Sequence, residues 1–140
     1  MSTHSAMHKH YGMPLSEWVS RVPNELAVDA VGLWQIASVL EREFGLTGAE
    51  LEAQVRECVS RVVGHGALPV QGGPDRTWIV REDLAYPQDA AVEQVVQYWK
   101  GLGREPTVSD VWFVLPRFLR GVDALYLDST GSQRGAEGSD

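Results

Sequence analysis

Apolar residues recur at helical spacing in the first part of the chain and predict two successive helices. The first covers residues 15–21 and ends before Pro23, because a residue that precedes proline disfavours helical backbone angles. The second covers residues 26–44, with Asn24 as its N-cap and Gly45 at its C-terminal end. Its apolar stripe consists of Leu26, Ala30, Leu33, Trp34, Ala37, Leu40 and Phe44.

A third helix is predicted to begin at Thr47 and to end before Gly64. Thr47 and Glu50 have the spacing of a capping box, in which each side chain binds the other residue's backbone N–H. The apolar stripe of this helix consists of Leu51, Val55, Cys58, Val59, Val62 and Val63. The connection between the second and third helices is so short that the two helices must fold back or cross sharply.

The second half of the chain contains shorter apolar runs with β-type residues. Residues 67–71 and 77–81 flank a Gly-Gly-Pro-Asp turn at residues 72–75, which predicts a β-hairpin. A fourth helix is predicted over residues 88–101, and residues 111–115 form either a third strand or a buried extended segment. A last short helix or turn is indicated by Phe118, Leu119, Leu125 and Tyr126.

This order of elements predicts an α+β fold that is mostly helical: a winged-helix-like helical bundle with a small β-hairpin. We expect a single globular domain over residues 13–127. Residues 1–12 are expected to be flexible, and the Ser- and Gly-rich residues 128–140 to form a disordered tail. The fold alone names no activity, because such scaffolds carry many functions.

Composition narrows the class of protein. The 140 residues are 44% hydrophobic and 22% charged, which excludes a wholly disordered chain, a collagen and a coiled-coil rod. The single cysteine excludes an intramolecular disulfide framework. The longest uncharged apolar stretch, residues 30–40, is shorter than the about 20 residues of a bilayer span. The first residues are polar and His-rich with no apolar segment, so we expect a cytoplasmic protein without membrane association.

The formal net charge is −7, and the acidic residues concentrate between Glu25 and Glu57. Only Arg42 and Arg56 oppose them in that segment. One interpretation is a solvated surface that keeps the protein soluble. The other is an acidic face for a basic partner, and nucleic acid is disfavoured because its phosphates repel such a surface.

The candidate reactive residues do not assemble into a catalytic or metal-binding set. His4, His8 and His10 have no fixed frame for a metal ion, so we expect no metal site and no cofactor. Cys58 lies on an apolar stripe and is interpreted as a core residue, and His65 as a C-terminal helix cap. The sequence therefore predicts a non-enzymatic protein. An enzyme would need a pocket with convergent polar groups around His65 or Asp110.

The five tryptophans fall into two groups by their predicted positions. Trp34 and Trp99 lie on apolar helix faces and are expected in the core. Trp18, Trp78 and Trp112 are open to either packing or contact with a partner.

The winged-helix outline raises the alternative of a DNA-binding transcription regulator. The third helix would then enter the major groove. Its predicted outward positions, however, carry three acids and two bases: Glu50, Glu52, Gln54, Arg56, Glu57, Ser60 and Arg61. Such a helix neutralises few phosphates, so the same scaffold is better suited to binding another protein.

The segment from Trp99 to Phe113 reads W-x-x-L-G-R-E-P-x-x-x-D-V-W-F. It resembles small bacterial proteins, some of which are similar to immunity proteins encoded beside polymorphic or contact-dependent toxins. The resemblance implies a small, acidic, cytoplasmic protein that binds and neutralises a toxin domain without catalysis. Together with the charge, it points to a partner-binding surface with Trp78 as an aromatic anchor, and leaves the partner and the oligomeric state open. Its acidic residues are Glu41, Glu43, Glu50, Glu52 and Glu57.

Overall fold

The computed structural model describes residues 12–119, and these form a mixed fold that is mostly helical, as predicted. The α-helices are α1 (Leu15–Arg21), α2 (Leu33–Ser38), α3 (Gly48–Gly64), α4 (Glu82–Ala85) and α5 (Ala91–Gly101). The strands are β1 (Val31–Gly32), β2 (Leu68–Gly72), β3 (Trp78–Val80) and β4 (Trp112–Val114). Single 3-10 turns cover Val22–Ala27, Pro74–Arg76, Gln88–Ala90 and Pro116–Phe118, and a π-helical turn covers Val39–Glu43. The expected flexible residues 1–11, the expected contribution of Leu125 and Tyr126, and the predicted tail lie outside the described residues.

The four strands form one antiparallel sheet in the order β1-β4-β2-β3. The predicted hairpin is present as β2 and β3, and residues 111–115 contain a strand rather than a buried extended segment. That strand, β4, lies between β1 and the hairpin, so that Trp112 is opposite both Gly32 and Val70. The predicted outline of three helices followed by a hairpin thus gains a central strand from the C-terminal part of the chain.

Both faces of β4 are covered, which explains why residues 111–115 are apolar throughout. On one face, Phe113 packs with Val31 into the main core formed with the helices. On the other face, Val114 packs with Val70 and Leu119 in a second, smaller cluster. The sheet therefore separates two hydrophobic clusters.

The prediction of one helix over residues 26–44 was wrong. The chain first forms the 3-10 turn Val22–Ala27, in which Asn24 caps no α-helix, and then pairs with β4 as β1. Helix α2 begins only at Leu33, and Gln35 Oε1 accepts a hydrogen bond from the N–H of Gly32 at 2.8 Å. Pairing with a distant strand thus overrides the local helical spacing. Gly45, with φ of 71°, ends this region as predicted.

Helix α3 matches the predicted helix to within one residue at each end, but its capping box is absent. Thr47 is the N-cap residue, yet its side chain makes no capping hydrogen bond. Gly48, which follows, has φ of 55°, so the backbone turns into α3 through a left-handed residue rather than through a regular cap. Helix α4 was not predicted, and the predicted helix over residues 88–101 is the 3-10 turn Gln88–Ala90 continued by α5.

Candidate functional site

Asp110 is a buried carboxylate at the centre of a polar cluster between α5 and β4. It is 6% exposed. It accepts hydrogen bonds from Tyr98 Oη at 2.7 Å, Arg104 Nη1 at 2.8 Å and the Thr107 backbone N–H at 2.7 Å. The hydrogen bonds from Arg104 are the main reason that the pKa of Asp110 lies far below its usual range. Its oxygens are occupied by donors of the protein itself, so Asp110 is suited to fixing the loop and not to proton transfer.

The same cluster explains the polar residues of the motif between Trp99 and Phe113. Gly103, with φ of 67°, turns the chain after α5, and Arg104 then reaches Asp110. Trp112 Nε1 donates to the Val108 carbonyl oxygen at 2.9 Å, which holds the loop against β4. The polar members of the motif thus shape a connection between a helix and the central strand.

The two other candidate reactive residues are not brought together with Asp110 by any recorded contact. Cys58 is fully buried in the main core, as predicted, and burial raises the pKa of its thiol to about 12. His65 follows the last turn of α3, where its Nδ1 lies 2.9 Å from the Arg61 carbonyl oxygen. This contact agrees with the predicted helix-capping role.

Within residues 12–119, no group of three or more His, Cys, Asp or Glu side chains could hold a metal ion. His4, His8 and His10 lie outside these residues. No helix in the same part of the chain has the length and apolar character needed to cross a bilayer.

Most basic side chains of the described residues are compensated by carboxylates of the same chain. Residues 12–119 contain nine Lys and Arg and fifteen Asp and Glu, a formal charge of −6. Seven of the nine bases form ion pairs: Arg21, Arg42, Arg56, Arg61, Arg81, Lys100 and Arg104. The charged side chains of residues 12–119 that form no ion pair within that part are therefore mostly carboxylates.

The pairing also divides the predicted acidic surface. Glu52 contacts Arg56 at 3.3 Å and Lys100 at 3.2 Å, as part of a network that joins α3 to α5. Glu57 contacts Arg61 at 2.8 Å, one turn further along α3. These two glutamates have local counter-charges, although all of these ion pairs are at least partly exposed to solvent.

The other three predicted glutamates differ from one another. Glu50 is exposed on the first turn of α3, and Glu41 is half-buried in the π-helical turn. Neither is in an ion pair within the part of the chain that the structure describes. Glu43 is half-buried and has a partner. The π-helical turn packs against α3, so all five glutamates lie on neighbouring helical elements.

Trp78, the predicted aromatic anchor, lies on the sheet and not on these helices. Its ring centroid is 5.6 Å from that of Trp112, in the smaller cluster. Trp112 also contacts Trp34, at 6.4 Å. The five tryptophans are all half-buried. Of the two predicted as core residues, Trp99 packs against the main core, whereas Trp34 contacts Trp112. No recorded contact joins Trp78 to the glutamates.

A groove lies beside Glu41, and another lies beside α1. One, of about 400 Å³, lies beside Glu41 and is bordered by charges of both signs, including Lys100, Arg104 and Glu105. The other, of about 390 Å³, lies between α1, the turn Val22–Ala27, β1 and α2. Its lining consists of Met13, Trp18, Arg21, Val22, Glu25, Asp29, Ala30, Val31, Gln35, Ile36 and Val39.

Sequence reasoning missed the second groove because it treated residues 26–44 as one helix. The groove exists because the chain leaves the helical path at residue 28 and returns to it at Leu33. The signal available in the sequence was the acidic character of Glu25 and Asp29, which now lie at the rim of a concave surface.

Compared with known protein families, curated proteins and solved structures, the chain shows no significant match.

Proposed function

We propose that this protein is a non-catalytic binding module of the cytoplasm that neutralises a basic protein partner, as an immunity protein does with its toxin domain. One observation carries the proposal. Most bases among the described residues form ion pairs with carboxylates of the same chain. Acids such as Glu41 and Glu50, on neighbouring helical elements, form no ion pair among these residues.

An acidic surface of this kind accelerates encounter with a basic protein and covers the positive site with which a nuclease would bind nucleic acid. Glu50 contributes its full charge, because it has no counter-ion among the described residues. Glu52 and Glu57 contribute less until a partner competes for them, since solvent-exposed ion pairs are weak.

The non-catalytic part of the proposal is supported by the state of the candidate reactive groups. Cys58 is buried as a thiol, and Asp110 is saturated by donors of its own loop. The alternative of a transcription regulator gains no support from α3, because Arg56 and Arg61 are held by glutamates.

The test is affinity capture by the full chain from a nuclease-treated lysate of the source organism, followed by reconstitution with the purified partner. We expect one stoichiometric basic protein whose association slows as salt rises. Recovery of DNA without any protein partner, once nuclease is omitted, would instead favour the regulator.

Charge-reversed variants then test the surface. Glu50→Lys is expected to lower the association rate of the complex by roughly 3- to 10-fold and to flatten its salt dependence. Glu57→Lys makes the same change of charge about two turns further along α3 and releases Arg61 from its ion pair, so it should also lower the association rate. Asp89→Lys, an exposed position at the start of the turn Gln88–Ala90, is the control with the same change in net charge. Equal slowing by all three variants would show that net charge acts without a defined surface.

A further inference from the structure

The groove between α1 and α2 has an apolar floor that the fold keeps in place. Val22, Val31 and Ile36 contribute to it, and each is at least nine-tenths buried by the surrounding core. Trp18 and Val39 add half-buried apolar walls. The volume of about 390 Å³ lies within the roughly 300–1,000 Å³ typical of binding pockets. The space is suited to one apolar side chain and the backbone on either side of it.

The rim of this groove is negatively charged. Glu25 and Asp29 are both exposed and form no ion pair among residues 12–119. Asp29 Oδ1 accepts a hydrogen bond from the Ala30 N–H at 2.7 Å, which fixes the carboxylate at the rim. Arg21, the one base in the lining, is compensated by Glu17. Two uncompensated acids thus border an apolar floor.

An exposed apolar side chain directly precedes Asp29 in the chain, although it does not line the groove. Val28, between Glu25 and Asp29 in the chain, is 75% exposed, the highest value among the large hydrophobic residues that the structure describes. A segment bound along the rim would cover it, and the burial would favour binding.

We infer that this groove docks a short basic segment of the partner, which inserts one apolar side chain between Glu25 and Asp29. The inference rests on the proposed function and gives the basic partner a second point of attachment, separate from α3. The groove beside Glu41 fits such a segment less well, because Glu105 at its border is already paired with Arg42, which leaves Glu41 as its one carboxylate without an ion pair among the described residues.

The inference is tested by NMR titration of the full chain with two synthetic nonapeptides. One has four lysines around a central leucine, and the other has serine in place of the leucine. We expect saturable shifts confined to the backbone amides of the groove, with the leucine peptide binding at least tenfold more tightly. No saturable shift at millimolar peptide, or equal binding of both peptides, would overturn the inference.

A matched pair of variants separates the groove from the rest of the acidic surface. Glu25→Gln with Asp29→Asn removes two charges and retains an acceptor for the Ala30 N–H. We expect it to weaken the leucine peptide at least fivefold. Glu50→Gln with Asp89→Asn makes the same change in net charge away from the groove and should leave peptide binding unchanged. Equal weakening by both pairs would refute a defined site.

The same variants distinguish failure of the groove from failure of the proposed function. If Glu50→Lys slows association with the captured protein partner and the groove variant leaves it unchanged, the binding function stands and the groove inference fails. A further variant replaces His4, His8, Lys9 and His10 by serine. Shifts of the groove amides in that variant would show that residues 1–11 occupy the groove and would also overturn docking of a partner.

Discussion

At the scale of single residues, Asp110 is the carboxylate on which the loop between α5 and β4 depends. Arg104, Tyr98 and Thr107 all donate to it, and water has little access. Arg104 is half exposed and can regain water, but the Tyr98 hydroxyl and the Thr107 N–H would lose a buried acceptor if Asp110 were replaced. The stability of this loop should therefore respond strongly to changes at Asp110 and weakly to changes at exposed ion pairs.

Asp110→Asn is expected to lower the free energy of unfolding at neutral pH by about 2 kcal/mol, because the Asn amide group would face the Tyr98 hydroxyl and the Thr107 N–H, which are themselves donors. Chemical denaturation measures the difference. Asp83→Asn, which breaks an exposed ion pair with Arg81, is the control and should cost less than about 1 kcal/mol. Equal losses for the two variants would contradict the structural role of Asp110.

The low pKa of Asp110 also predicts a pH dependence. Its pKa is depressed in the folded state by Arg104, so the stabilisation is complete above the ordinary carboxyl pKa of about 3.9. It is lost as the pH falls from there towards the folded-state value. The stability difference between the native chain and Asp110→Asn should be constant from pH 5 to pH 7 and shrink below about pH 4. A difference that grows on acidification would contradict this assignment.

At the scale of elements, the junction between β1 and α2 depends on a glycine. A Cβ atom on Gly32 would lie 2.7 Å from Trp34 Cδ1 and 3.2 Å from Trp112 Cε3. The close approach of these two indoles to the backbone is what lets β1 pair with β4 immediately before α2 begins. A side chain at this position must displace at least one tryptophan.

Gly32→Ala is therefore expected to destabilise the protein by about 2 kcal/mol. Gly64→Ala is its control, since a Cβ there meets nothing within 4 Å and alanine is the better helix former. It should leave the free energy of unfolding unchanged or raise it by up to about 1 kcal/mol. Thermal and chemical unfolding of both variants provide the comparison, and a harmless Gly32→Ala would show that the junction relaxes freely.

In the turn of the β2–β3 hairpin, by contrast, we expect that introducing a glycine stabilises the protein. Arg76 has φ of 61°, a left-handed conformation that costs a residue with a Cβ atom about 1–2 kcal/mol. Arg76→Gly should raise the free energy of unfolding by about 0.5–1 kcal/mol, after the greater chain entropy of glycine is subtracted. Arg76→Ala keeps the backbone strain and should give no such gain. Equal effects of the two variants in chemical denaturation would assign them to the lost side chain.

The sequence predicts elements well where their signals are local. Helices α1 and α3 and the hairpin follow from apolar spacing and from Pro and Gly at the boundaries, and α3 ends at Gly64. Strand β1 could not be predicted in this way, because its two residues are extended only through pairing with β4, some 80 positions later. The same applies to the candidate site. The sequence is enough to predict that Glu50 adds a negative charge to α3. It cannot predict the ion pair between Glu52 and Lys100, because that pair depends on how α3 packs on α5.

At the scale of the whole molecule, the charge distribution opposes nucleic acid. Among residues 12–119, only Arg76 and Arg117 pair with no carboxylate of that part, and Arg117 donates to the Ala27 carbonyl oxygen. Affinity for DNA depends mainly on neutralising phosphates with free cations.

We therefore expect no saturable binding of duplex DNA at physiological salt. Fluorescence anisotropy with a labelled random-sequence duplex measures it, and a basic winged-helix protein is the positive control. Saturable binding that weakens steeply as the salt concentration rises would contradict the proposed function and favour a DNA-binding transcription regulator.

The central position of β4 also has a consequence for synthesis of the chain. The ribosome delivers β1, β2 and β3 before β4, yet among residues 12–119 β1 has no partner in the sheet other than β4. Until residue 114 has emerged, the nascent chain cannot complete the sheet, and its apolar strand edges remain open to other chains. Contacts between residues so far apart also place the fold among those whose folding is slowed by loop closure. A ribosome that pauses before residue 112 would thus hold the protein in its most aggregation-prone state.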